Sequence, residues 1–94
     1  MSTVGVRAIE ARAGWECLVA VRDGSETHHR VHVSRADLAL LAPGAPDPVR
    51  LVEVSFAFLL EREPKESILR EFDLAAIGRY FPEYERETGH RLAR

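Results

Sequence analysis

Cysteine and lysine are nearly absent from this sequence, which contains one of each, Cys17 and Lys65. One cysteine cannot form an intrachain disulfide or a cysteine-rich zinc site, and it suits a reducing compartment. No apolar run approaches the roughly 20 residues that a membrane-spanning helix needs, and the N-terminus has no signal-peptide pattern. We therefore expect a cytoplasmic protein with no membrane partner. The preference for arginine over lysine, with abundant alanine, indicates a bacterial genome rich in G and C.

An excess of charge of either sign is also missing. Thirteen Lys and Arg stand against fifteen Asp and Glu, which gives a formal net charge of -2 at pH 7. A non-specific polyanion binder needs a positive surplus, so bulk charge disfavours nucleic acid as the main partner. The composition, 46% hydrophobic and 30% charged, is that of a globular protein, and 94 residues predict a single domain over residues 1–94.

The common catalytic and nucleotide-binding motifs are absent as well: the dinucleotide-binding glycine fingerprint, the P-loop, HExxH, GxSxG and CxxC. His28 and His32 share a side of one predicted strand, but at about 3.3 Å per residue they lie about 13 Å apart, too far for one metal ion. Cys17 shares its strand face with Trp15 and is predicted to be a core residue. We expect no catalytic residue, no metal site and no cofactor, and hence a protein that is not an enzyme.

Alternation of apolar and polar residues predicts three strands near the N-terminus, at about residues 3–10, 15–22 and 27–33. The Asp-Gly-Ser sequence at residues 23–25 predicts a tight turn between the last two, because Asp and Gly accept positive φ. These strands are expected to form an antiparallel meander. Its single apolar face must be covered by other elements.

The rest of the chain is predicted to supply that cover. Predicted helices lie at about residues 35–42, 48–63, 65–72 and 74–88, with a polar tail at 89–94. Ser34 is expected to cap the first helix, and Asp47 and Pro48 to begin the second, which Pro64 interrupts. The predicted fold class is therefore α+β: a three-stranded antiparallel meander packed against three to four C-terminal helices.

The predicted helix at 48–63 has two apolar stripes on nearly opposite sides. At 100° per residue the first stripe contains Val49, Val52, Phe56, Leu59 and Leu60, and the second contains Leu51, Val54 and Phe58. The first is expected to pack on the sheet. The second must be covered either by the C-terminal helices or by another chain.

Cover by another chain would make the protein a non-enzymatic interaction module or a small subunit. A homodimer needs only one self-complementary patch, and a hetero-complex is the alternative. An aromatic block of Phe72, Tyr80, Phe81 and Tyr84 has two interpretations: Phe72, Phe81 and one tyrosine complete the core, or the block, whose residue types are enriched at protein interfaces, extends this candidate surface. The predicted interaction surface consists of Leu51, Val54, Phe58, Tyr80 and Tyr84.

The polar side of the predicted sheet supports an alternative, a nucleic-acid-binding or regulatory module. The residues expected to meet phosphate in that case are Arg22, His28, Arg30 and His32. The competing interpretation is an ordinary hydrated strand face. A third hypothesis, a small enzyme that uses Cys17 or the histidines, would require a concave pocket around them.

The run SFAFLLEREPKESIL at residues 55–69, followed by FDL at 72–74 and RYFPEYE at 79–85, resembles the C-terminal block of a family of small uncharacterised bacterial proteins. The predicted hairpin and residues 31–41 resemble that family more loosely. The family carries no assigned activity, cofactor or catalytic residue. The resemblance therefore implies a shared domain and no particular function.

Overall fold

A computed structural model describes residues 2–93 and contains one sheet with helices packed against one of its faces. The strands are β1 (Thr3–Ala11), β2 (Gly14–Arg22), β3 (Glu26–Ser34) and β4 (Glu71–Asp73). The helices are α1 (Arg35–Leu41), α2 (Val49–Leu60), α3 (Ala76–Tyr80) and α4 (Tyr84–Leu92), and Lys65–Ser67 forms a 3₁₀ turn. The α+β class predicted from the sequence is confirmed.

β1, β2 and β3 form the expected antiparallel meander, and the strand order in the sheet is β1-β2-β3-β4. Side chains alternate between two faces, and the inner face of β2 and β3 is buried except at Thr27, which is partly exposed. Its apolar members are Trp15, Cys17, Val19, Val21, Val31 and Val33. At the β1–β2 turn, Gly14 has a φ of 148°, and a Cβ there would lie 2.1 Å from the Val33 carbonyl oxygen. Only glycine fits this position.

The helix predicted at 65–72 is wrong. After the 3₁₀ turn the chain extends into β4, which pairs parallel to β3 with Phe72 opposite Val31. Backbone hydrogen bonds to β3 flank this pairing on both sides. Phe72 also packs against Phe56 of α2, with ring centroids 6.2 Å apart. Sheet hydrogen bonds and burial thus outweigh the local helical pattern, because intrinsic helix propensity only weakly determines the structure of a segment.

The helix predicted at 74–88 is interrupted. Phe81 has extended backbone angles, as expected before Pro82, because a residue that precedes proline is disfavoured in the helical region. This separates α3 from α4. The tail predicted at 89–94 is helical through Leu92, which packs against the core and offsets the roughly 1 kcal/mol that Gly89 costs inside a helix. Residue 94 lies outside the described residues.

Ser34 is the N-cap of α1 as predicted, whereas α2 begins at Val49, one residue later than predicted, with Pro48 rather than Asp47 at its N-cap position. The Ser34 hydroxyl accepts a hydrogen bond from the Asp37 amide at 3.0 Å and caps α1. The Asp47 carboxylate accepts one from the Val49 amide at 2.9 Å, at the start of α2. Such caps satisfy amides that have no partner within the helix. α2 ends at Leu60, three residues before the predicted end.

Candidate functional site

Both sides of α2 are covered by the protein's own chain. Phe56, from the first stripe, faces the sheet, and its ring centroid lies 5.4 Å from that of His29. Phe58, from the second stripe, faces α4 and the loop before it, with ring centroids 5.4 Å from Tyr84 and 5.8 Å from Phe81. α2 is therefore sandwiched between the sheet and α4.

This packing corrects the interaction surface expected from the sequence. Leu51, Val54, Phe58 and Tyr84 are only 1%, 4%, 0% and 2% exposed. They are buried because α4 packs on the second stripe, and a second chain cannot reach them in the folded protein. Tyr80 is the exception, since it is 72% exposed.

Tyr80 stands at the rim of an apolar cleft beside β4. The cleft has a volume of about 260 Å³ and opens between the end of α2, the segment that leads into β4, and α3. Buried Leu59, Ile68 and Ile77 form its base, whereas Leu69 and Tyr80 are exposed at its rim. We call this site the β4 cleft. Exposed apolar side chains around an apolar cavity are a mark of an interaction site.

The polar groups of the β4 cleft are few. Glu63 and Ser67 line it, and Tyr80 contributes a hydroxyl. General acid–base catalysis needs titratable groups paired within hydrogen-bond reach of a substrate, and nucleophilic catalysis needs an activated nucleophile. Small-molecule sites usually occupy roughly 300–1,000 Å³. The volume of the cleft lies just below this range, and its mostly apolar lining suits an apolar group such as a side chain of a partner.

Ser67, Ile68 and Leu69 form one wall of the cleft, and Lys65 fixes this wall to the rest of the protein. Its side chain is 4% exposed, and its ammonium donates hydrogen bonds to Asp23 in the β2–β3 turn and, at 2.7 Å, to Glu66. These bonds raise the pKa of Lys65, and the bond from Lys65 lowers the pKa of Asp23. The 3₁₀ turn is thereby fixed to the end of the sheet, which positions the residues that follow it.

His29 holds the same wall from the sheet. It is 4% exposed and lies on the inner face of β3. Its Nδ1 lies 2.8 Å from the Leu69 carbonyl oxygen and must donate, because a carbonyl only accepts. Its Nε2 lies 2.9 Å from the Thr27 hydroxyl and accepts from it in the neutral ring. The backbone of Leu69 is therefore fixed while its side chain faces solvent.

Leu69 was not predicted to be a surface residue, because the pattern at residues 65–72 favoured a helix. Ile68 and Leu69 are adjacent, and the chain there is extended rather than helical. In an extended segment neighbouring side chains point to opposite sides, so both cannot enter the core. Ile68 is 5% exposed and Leu69 is 58% exposed.

The residues predicted to contact nucleic acid share the exposed face of the sheet: Arg22, His28, Arg30 and His32. Three of these four side chains lie within ion-pair distance of a carboxylate. Arg22 and His28 lie 2.6 and 2.7 Å from Glu26, and His32 lies 2.7 Å from Glu16. These contacts reduce the positive charge that the face presents to phosphate.

Arg30 has no ion-pair partner within residues 2–93, and two further arginines join it. Arg7, Arg30 and Arg70 line a shallow depression over the small residues Gly5 and Ala20. This local concentration of guanidinium groups is the part of the exposed face best suited to an anion.

Within the described part of the chain, no three His, Cys, Asp or Glu side chains are placed to hold a metal ion. Cys17 is buried, and burial, together with the charges of Glu16 and Asp47, raises the pKa of its thiol to about 11. The thiol is therefore protonated at neutral pH and is a poor nucleophile.

Comparison of this chain with protein-family models, curated proteins and solved structures gave no match. Among the helices of residues 2–93, none has both the length and the apolar character needed to cross a membrane. The resemblance of residues 55–85 to a bacterial family stays a prediction.

Proposed function

We propose that this chain is a non-enzymatic protein-interaction module or small subunit that binds a segment of a partner protein in the β4 cleft. One observation carries the proposal: two highly exposed apolar side chains, Leu69 and Tyr80, flank a cavity whose base is apolar. Binding hot spots combine aromatic anchors with desolvated apolar pockets. Burial of apolar surface on binding supplies roughly 25 cal/mol per Å² before the costs of association are subtracted.

Preorganisation of the cleft supports the same function. The wall that carries Leu69 is held at one end by Lys65 and along its backbone by His29. A wall that is already ordered loses little conformational freedom when a partner binds, so more of the gain from apolar burial is retained as affinity. The volume of about 260 Å³ suits one or two large apolar side chains of the partner.

The bacterial cytoplasm is the setting in which this function is proposed. A single buried thiol is compatible with a reducing compartment, where structural disulfides are rare. The partner is accordingly a cytoplasmic protein that exposes an apolar segment.

The test is affinity capture from nuclease-treated lysate of the organism that encodes the protein. Tagged wild type is compared with Leu69→Ser and Tyr80→Ser, and Leu40→Ser is the matched control because Leu40 is 64% exposed on α1. Substitutions at exposed sites usually change stability by about 0.5 kcal/mol or less, so all variants should fold. We expect wild type and the control to retain one stoichiometric protein, and both cleft variants to lose most of it. Equal capture by all four proteins, or capture of no protein, would contradict the proposal.

The Arg7, Arg30 and Arg70 depression supports a second function, binding of a nucleic-acid backbone on the exposed sheet face. Phosphate contacts make affinity fall steeply with salt. A fluorescent single-stranded oligonucleotide should then bind at about 50 mM salt, weaken at about 200 mM, and bind Arg30→Gln more weakly. A flat titration at low salt would remove this function.

A further inference from the structure

β1 is a long edge strand with few of the features that usually block strand addition. Its nine residues contain no proline, its charged residues are Arg7 and Glu10, and its ladder with β2 has no bulge. The opposite edge strand, β4, is protected against strand addition, because it has only three residues and carries the charges of Glu71 and Asp73. A long regular edge presents a row of free amide and carbonyl groups to another strand.

The free part of β1 is bounded by contacts within the chain. The Glu10 carboxylate accepts a hydrogen bond from Arg35 at 2.9 Å, and Arg35 also donates to the Ala11 carbonyl at 3.1 Å. These contacts occupy the C-terminal end of the strand. The stretch that remains available is Thr3 to Ile9.

The apolar side chains of this stretch are incompletely covered. Val4, Val6 and Ala8 pack against the core on the helix-covered face but remain partly exposed. Ile9, on the opposite face, is 46% exposed. A neighbouring strand would complete the burial of the inner side chains, as β2 and β3 do for each other.

We propose that two copies of this chain pair through β1 in antiparallel orientation, about a twofold axis at Val6, to form a sheet of eight strands. In this register Val6 opposes Val6 of the second copy, Val4 opposes Ala8, and Gly5 opposes Arg7. Apolar residues therefore meet apolar residues on the inner face, and the long arginine lies over a glycine. Cross-strand pairs of this kind are the unit of sheet stabilisation.

The other symmetric registers are worse. An axis at Gly5 limits the overlap of the two strands to Thr3 to Arg7, because β1 begins at Thr3. An axis at Arg7 places two guanidinium groups directly opposite each other, which is destabilising. An axis at Ala8 places Val6 opposite Glu10, whose carboxylate is already bonded to Arg35. The axis at Val6 overlaps Thr3 to Ile9 of both copies, which is the stretch left free by the contacts of Arg35.

This contact is independent of the β4 cleft. β1 and β4 are the two edges of the sheet, so pairing through β1 leaves the cleft of each copy open. A dimer would present two cleft sites to partner proteins. Failure of the dimer would leave the proposed function standing, and failure of cleft binding would leave the dimer standing.

The first test is sedimentation analysis of wild type and of two variants at one position, Gly5→Glu and Gly5→Lys. A Cβ at Gly5 meets no atom within 4 Å, so the single chain has room for either side chain. Because Gly5 lies beside Arg7, Arg30 and Arg70, urea unfolding of each variant checks that the new charge leaves the single chain folded. In the proposed register residue 5 opposes Arg7 of the second copy. We expect wild type to form a dimer. Relative to wild type, the dimer dissociation constant should be about threefold or more lower for Gly5→Glu and should be higher for Gly5→Lys. A monomer at about 100 µM for wild type and Gly5→Glu would overturn the proposal.

The second test identifies the register by disulfide cross-linking. Paired residues have Cα atoms about 5.5 Å apart or less, within the range that a disulfide spans. Val6→Cys should therefore link two copies under mild oxidation, whereas Arg7→Cys should not, because residue 7 opposes Gly5. Wild type provides the background, since its Cys17 is buried with a thiol pKa of about 11. Linking of Arg7→Cys ahead of Val6→Cys would overturn the register at Val6.

Discussion

Lys65 is a buried charge whose two carboxylate partners determine the position of the cleft wall. A buried ammonium is costly unless it is paired and hydrogen-bonded. Here Asp23 and Glu66 supply the pairs, and Asp23 comes from a turn 42 residues earlier in the chain. The residue therefore connects the β2–β3 turn to the segment that carries Leu69.

Substitution of Lys65 by Met should lower stability and flatten its dependence on pH in acid. In the folded protein the pKa values of Asp23 and Glu66 lie below their ordinary values of 3.8 and 4.5, chiefly because each accepts a hydrogen bond from Lys65. The stabilisation is thus present above the ordinary values and is lost as pH falls through the lowered ones. Lys65→Met lacks this contribution.

Urea unfolding midpoints of wild type and Lys65→Met between about pH 2 and pH 7 check this expectation. The difference between the two proteins should be largest near neutrality and should shrink towards the acid end. A constant difference across that range would show that the carboxylates gain nothing from Lys65.

α4 completes the core by covering α2, and a buried hydrogen bond fixes how the two helices meet. The Ser55 hydroxyl donates to the Leu51 carbonyl at 2.7 Å and therefore accepts from the Tyr84 hydroxyl, which lies 2.6 Å away. At the end of α2, the Arg62 guanidinium lies 3.6 Å from the Phe58 ring centroid. A cation in this position shields the aromatic ring and adds attraction to the ring face.

Tyr84→Phe should destabilise the protein by about 1 kcal/mol, the usual net worth of a buried hydrogen bond. Tyr80→Phe is the matched control and should leave stability unchanged, because Tyr80 is exposed. Burial raises the pKa of Tyr84 to about 12, above its ordinary value of 10.0. The stabilisation that the Tyr84 hydroxyl provides is therefore complete below pH 10 and is lost as pH rises towards 12. The stability of Tyr84→Phe lacks this dependence on pH. Urea unfolding of both variants measures this, and equal effects of the two would contradict it.

Elements with a strong period were predictable from the sequence, whereas elements created by tertiary contacts were not. Alternation in β1, β2 and β3 gave strands whose ends lie within about one residue of the structure. The two stripes of α2 correctly implied cover on both sides. β4 has three residues, too few for any period, and exists because it pairs with β3.

At the scale of the whole molecule, the two edges of the sheet differ in kind. The β1 edge is long and regular, and the β4 edge is short and adjoins the apolar cleft. The cleft combines residues from α2, the segment before β4, and α3, which meet only after β4 joins the sheet. Tyr80, Phe72 and Phe81 belong to the aromatic block that the sequence suggested as part of an interface. Ile68 and Leu69 were not predicted there, because their placement depends on a parallel strand that leaves no local signal.

The most direct test of the cleft as the binding site is site-specific photo-cross-linking in the host cell. A photoreactive phenylalanine replaces Tyr80 in one variant and Leu40 in the control, because both side chains are exposed but only Tyr80 lines the cleft. We predict that irradiation links one cytoplasmic protein to position 80 and not to position 40, and that Leu69→Ser abolishes the product. Equal labelling at both positions, or no protein linked at position 80, would contradict the central claim.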